Sequence, residues 1–252
     1  MPRSRRAARP SRRSGSSSDP LSDTLDHISP QEIVARLSGS PEERAALIRE
    51  GAEVGVAEAQ AVYGQMLLDA GDAPTGFTWF NKAAAQGHLM ALNMVGRCYD
   101  LGWGVAVNKP RAAECFRIAA TRGLDWGMYN YATALALGDG VAEDKAAALS
   151  WFEKAAATGN AKAVNYIGSF HEDGWVVPRN IAKAADCYAR AAEGGDFRGQ
   201  FNHARMLAER GEIEAARDWL ARCGKTATPA FAAKARLWLR NSHWPELERA
   251  LP

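Results

Sequence analysis

A chain of 252 residues, 47% hydrophobic and 24% charged, has the makeup of a folded protein and the length for one large domain or a repeat array. No apolar run approaches the roughly 18–20 residues that a membrane helix needs. The formal net charge is +2, but Arg3, Arg5, Arg6, Arg9, Arg12 and Arg13 all fall in the first 18 residues, which contain no acid. The rest of the chain is left at −4, so the folded part offers no electrostatic case for binding nucleic acid.

Residues 1–28 form an Arg- and Ser-rich head with too few apolar side chains to collapse, and disorder is expected there. It lacks the apolar centre of a secretory signal. Organellar targeting fits its composition, yet no leucine precedes Leu21 to build an amphipathic face. The plain reading is a solvated tail; a second reading has it contact an anionic surface. Ser29, Pro30 and Glu32 then announce a short helix. Ser40, Pro41 and Glu43 spell a capping box with proline at the first helical position. Residues 29–55 therefore read as N-terminal capping helices, with 41–53 as a lone second helix of a repeat.

From residue 56 to 224 the sequence repeats itself. Gly55, Gly87, Gly123, Gly159 and Gly195 are spaced 32, 36, 36 and 36. Ala59, Ala91, Gly127, Ala163 and Gly199 keep those spacings, as do Gly64, Gly96, Ala132, Gly168 and Ala204. Independent columns sharing one period mark stacked modules. Each unit reads as two helices. The first, such as Leu89 to Leu101, carries small residues that let a neighbour approach. A glycine turn follows ("GWGV" from Gly102, "GDGV" from Gly138, "GWVV" from Gly174), then a second helix. Asp72, Asn108, Asp144 and Asn180 stand where that helix needs an N-cap. The second helix carries the phrases "WFNKAAAQGH", "CFRIAATRGL", "WFEKAAATGN" and "CYARAAEGGD". Their leading residues, Trp79, Cys115, Trp151 and Cys187, are expected in the core. About five helix pairs result, the last degenerate, with Trp219 in place of Trp151. Residues 225–252 hold a capping helix opened by Thr228 and Pro229 and running to Arg240, then a tail.

The runs "ALNMVGRCYDLGWGVAVNKPRAAECFRIAATRG" and "AVNYIGSFHEDGWVVPRNIAKAADCYARAAEGG" resemble the Sel1-like repeat, a relative of the tetratricopeptide repeat. Residues 56–195 match its pattern well and 196–224 weakly. The first unit lacks the G-x-G-V turn, and Val176 replaces the second glycine in the fourth. The resemblance implies an all-α fold, an α/α right-handed superhelical solenoid, acting as a protein-binding scaffold or adaptor without chemistry of its own.

The chemistry-bearing residues are sparse. Cys98, Cys115, Cys187 and Cys223 make no C-x-x-C pair and read as buried packing residues in a reducing, cytoplasmic setting. His171-Glu172 opens like H-E-x-x-H, but Trp175 occupies the second histidine's place, so a packed, hydrogen-bonded His171 is expected. Phe77 stands where a phosphate loop needs lysine. No catalytic residue, cofactor or metal is expected. The alternative to a scaffold is a hydrolase using an unrecognised concave site.

Candidate partner contacts lie on the first helices, which line the concave side of such arrays. One column holds Asn93, Tyr129 and Asn165. Another, one turn on, holds Arg97, Thr133, Ser169 and Arg205, and Asn130 and Asn202 lie beside them. This polar row would bind an extended protein or peptide partner, or else would hydrogen-bond adjacent helices within the solenoid. Trp103 and Trp175, in the glycine turns, are either partner anchors or packing residues.

Overall fold

The structure, a computed structural model, describes residues 29–251, so the expectations for the basic head lie outside the described residues. Every regular element among those residues is helical. Two helices, α1 (Pro30–Ser38) and α2 (Pro41–Glu53), precede the repeats. Five pairs follow: α3 (Ala57–Asp69) with α4 (Ala73–Ala85), α5 (Leu89–Leu101) with α6 (Lys109–Thr121), α7 (Asp125–Leu137) with α8 (Lys145–Ala157), α9 (Ala161–Asp173) with α10 (Ile181–Glu193), and α11 (Phe197–Glu209) with α12 (Ile213–Thr226). Helix α13 (Pro229–Arg240) and a 3₁₀ helix (Pro245–Ala250) close the far end.

The helix starts obey the sequence. The side chains of Asp72, Asn108, Asp144 and Asn180 accept from the backbone N–H three residues on. Ser40 and Glu43 complete the reciprocal capping box. Three of the five first helices are capped by a side chain too: His88 Nδ1, Asn160 and Asp196 each accept from the third N–H of their helix.

Each helix packs chiefly on its chain neighbours, and α5 also meets α7 and α9 meets α11. The first helices of successive units therefore approach one another more closely than the second helices do, which places the first helices on the concave side. The small-residue columns permit this packing. A Cβ added at Gly96 would lie 2.6 Å from the Phe116 ring, and one at Gly168 would lie 2.6 Å from the Tyr188 ring. The turn glycines are equally constrained: at φ +75°, a Cβ on Gly140 would sit 2.2 Å from the Lys109 carbonyl carbon. Val176, in the corresponding turn of the next unit, adopts φ 51° despite its β-branch and is mostly exposed, while its neighbours Trp175 and Val177 meet Lys145 and the Leu149–Phe152 core of α8.

The repeated phrase packs one residue out of the expected register. Its second position is the core: Phe80, Phe116, Phe152, Tyr188 and, in the last unit, Leu220 are buried. Trp79, Trp151 and Trp219 are only half-buried. Each instead lies edge-on to a ring of the first helix (Tyr63, Tyr131 and His203) and receives a cation from three residues on. Lys82 Nζ sits 3.8 Å from the Trp79 ring centroid, Lys154 Nζ 4.0 Å from that of Trp151, and Arg222 Cζ 4.5 Å from that of Trp219. The tryptophan is thus a lid between core and solvent, and the lysine of the phrase shields its outer face. Cys187 is buried as expected, whereas Cys115 is half-buried.

The C-terminal tail packs on the last pair. Leu247 and Leu251 are buried against Leu220, Cys223, Ala235 and Leu239, so the residues after α13 fold back to seal the last pair.

Candidate functional site

The polar row singled out in the sequence divides when the helices are assembled. Asn93 and Asn165 are buried, and their Oδ1 atoms accept from Asn130 Nδ2 at 2.8 Å and Asn202 Nδ2 at 2.9 Å. Each bond spans successive first helices and so staples one unit to the next. These four side chains spend their polarity inside the solenoid. The Tyr188 hydroxyl donates to Glu172 at 2.6 Å, and the Ser169 hydroxyl lies 3.3 Å from the same phenol oxygen. Arg205 grips the same carboxylate with both Nη atoms at 2.7 Å. Burial pushes the Glu172 carboxyl up, but the bonds from Arg205 and Tyr188 overcome it and hold the group below its ordinary range. This cluster ties α9, α10 and α11 together.

Trp103 packs on the Phe80–Cys98 core, with the Arg97 guanidinium 4.7 Å from its ring centroid. Trp175 meets Phe170 edge-on but keeps 40% of its surface exposed. His171 is half-buried, and its Nδ1 has no hydrogen-bond partner among the described residues, contrary to the hydrogen-bonded side chain expected.

What remains on the concave face is Arg97, Tyr129 and a column the sequence reading passed over: Met90, Trp126, Lys162 and Arg198. These are again 36 residues apart and sit at the second position of their helices. Trp126 lies edge-on to Tyr129, with centroids 6.2 Å apart; Tyr129 lies edge-on to Tyr166 at 5.9 Å. Tyr166 stacks on the core ring of Phe152 at 4.7 Å. A continuous aromatic floor therefore runs from the buried core to the concave surface. Lys162 Nζ lies 4.8 Å from the Trp126 centroid, and Arg198 Cζ lies 4.6 Å from that of Phe197. Burial pushes the Tyr129 phenol well above its usual range, so it stays a neutral hydroxyl. The period that revealed the small-residue columns also reveals this one, but apolar, aromatic and basic types in a single column do not stand out as a motif.

Clefts follow the first helices. One of about 490 Å³ opens between α3 and α5, lined by Val62, Met66, Met90 and Met94 over Phe80. A second, of about 440 Å³, lies at the N-terminal ends of α7, α9 and α11 and is lined by Trp126, Asn160, Lys162, Asp196 and Phe197. A third, of about 660 Å³, lies beside the C-terminal cap, between Glu209, Leu237, Trp238 and Trp244.

The Sel1 repeat family matches residues 57–88, 89–124, 127–160 and 161–196, together more than half of the chain. The chain belongs to the Sel1 repeat family. A Sel1 repeat protein from Oxalobacter formigenes is 25% identical, with a TM-score of 0.67 over 87% of this chain and 67% of that one. A protective antigen of uropathogenic Escherichia coli strains with an SLR fold is 24% identical, with a TM-score of 0.63 over 92% of this chain. This chain spans 53% of that antigen's length, and the likeness shows the shared fold alone.

Among the described residues no serine, threonine or cysteine hydroxyl or thiol hydrogen-bonds a histidine, and no group of three His, Cys, Asp or Glu side chains could hold a metal. The Cys98 and Cys223 thiols are pushed up to about 11 by burial, away from the reactive thiolate. No helix among the described residues is long and apolar enough to cross a membrane.

Proposed function

We propose that this Sel1 repeat solenoid is a non-enzymatic scaffold that holds a partner protein by an extended segment laid along the concave face. One observation carries the reading. The packing columns of the first helices are filled by small or internally bonded residues, whereas the Met90–Trp126–Lys162–Arg198 column faces outward with large side chains. Met90 and Trp126 remain 38% and 36% exposed although neither helps to close the core. Large aromatic and cationic side chains beside open clefts are the composition of binding surfaces. The revised contact set is Met90, Arg97, Trp126, Tyr129, Lys162 and Arg198. The four asparagines, Ser169 and Arg205 support the frame beneath it.

The test compares partner capture by the wild-type chain, by Met90→Ala/Trp126→Ala on the concave face, and by Glu153→Ala on the exposed face of α8. Proteins bound by the wild type and the Glu153 variant but lost from the concave variant are the expected result. Equal capture by all three would move the site off the concave face.

A further inference from the structure

Ion pairing is uneven across the half-buried cations. Arg36 pairs with Glu50, Lys109 bridges Asp100 and Asp139, Lys145 pairs with Glu143, and Arg205 holds Glu172. Arg97, Lys162 and Arg198 are half-buried as well, yet among the described residues none has a carboxylate within 4.0 Å. A cation removed from water without an acid costs stability, and chains normally avoid it. Here three such cations come from three separate units and share the central concave face. Each is held over an aromatic ring, Trp103, Trp126 or Phe197, which orients the charge without neutralising it.

Two acids act on these cations only from beyond ion-pair distance: Asp100 on Arg97, itself paired with Lys109, and Asp196 on Lys162 and Arg198. The Asp196 carboxylate is engaged in capping α11, where it accepts from Gly199 N–H. Burial pushes the Lys162 amine down, and Arg198 and Arg97 add to the shift while Asp196 opposes it. Burial likewise pushes the Arg97 guanidinium down. The arginines of residues 1–18 carry the wrong sign to fill the site, and Asp19, Asp23 and Asp26, which follow them, lie outside the described residues.

We propose that Arg97, Lys162 and Arg198 recognise an acidic segment of the partner, whose side-chain carboxylates take the places that no acid among the described residues fills. This rests on the concave-face reading and specifies its chemistry. The spread of the three cations over α5, α9 and α11 calls for more than one carboxylate along an extended strand, with an intervening apolar side chain seated against Trp126 and Tyr166. A nucleic acid fits less well. Its affinity depends on many successive phosphate contacts, whereas the body outside the first 18 residues carries a net −4.

The experiment selects peptides from a random display library on the full chain, then measures the winners by fluorescence anisotropy. The expected winners carry two or more Asp or Glu residues. Their affinity falls roughly tenfold or more in the Arg97→Gln/Lys162→Gln/Arg198→Gln variant. It also weakens as NaCl rises from about 50 to about 300 mM. Lys162→Met, which keeps the apolar stem, should show part of the same loss with an unchanged melting curve. It serves as the second reading should the triple variant fold poorly. Neutral winners that are lost on Trp126→Ala would overturn the acidic proposal and leave the concave scaffold standing. Winners indifferent to every concave change would overturn both. Tighter binding of a single-stranded DNA 20-mer than of any selected peptide, abolished by the triple variant, would assign the cations to nucleic acid and overturn the peptide proposal.

Discussion

Replacing Phe152 by alanine should test the packing register most sharply. The ring is 0% exposed; it stacks on Tyr166 at 4.7 Å and meets Phe170 and Tyr129 at 6.1 Å. Removing it forfeits about 1.5–3 kcal/mol of apolar transfer. It also leaves a cavity between α8 and α9 that the surrounding helices fill only in part, which raises the expected loss to about 3–5 kcal/mol. For a chain of this size that corresponds to a melting temperature lower by about 6–20 °C. The neighbouring Trp151 is larger, but one face is open to solvent and to the Lys154 amine. Trp151→Ala leaves no sealed cavity and should cost about 1–2 kcal/mol. Urea unfolding followed by far-UV circular dichroism gives both values, and hydrogen exchange should localise the Phe152→Ala weakening to α7, α8 and α9, since each unit touches only its neighbours. Equal losses for the two variants, or a larger loss for Trp151→Ala, would show that the second position of the repeated phrase is not the core position.

Gly140→Ala should destabilise the chain by about 2 kcal/mol or more, because the backbone sits at φ +75° and the new Cβ would meet the Lys109 carbonyl carbon at 2.2 Å; a melting curve within error of the wild type would refute that close approach. The Glu172 carboxyl, held below its ordinary 4.5, contributes stability that is complete above that value and is lost as pH falls through its lower folded-state value. Stability measured between about pH 5 and about pH 3 should therefore fall more steeply in the wild type than in Glu172→Gln, and parallel curves would remove Arg205 and Tyr188 as the cause.

Much of this architecture was written locally. N-caps at Asp72, Asn108, Asp144 and Asn180, prolines at 41 and 229 and glycines at one period fix where helices begin and end, because these signals act within a single turn of chain. The repeat then fixes that neighbouring units stack alike, and with it the all-helical solenoid. The concave surface was only half legible. Asn93 and Asn130 are 37 residues apart, and only the angle at which α7 crosses α5 decides that they bond to each other and not to a partner. The same holds for Arg97 and Arg205. They share one sequence column, yet Glu172 reaches Arg205, and no acid among the described residues stands within ion-pair reach of Arg97. Trp151 and Phe152 are adjacent in sequence and both strongly apolar. Which of them enters the core depends on the rotation of α8 against α9, a quantity set by side chains from three helices at once.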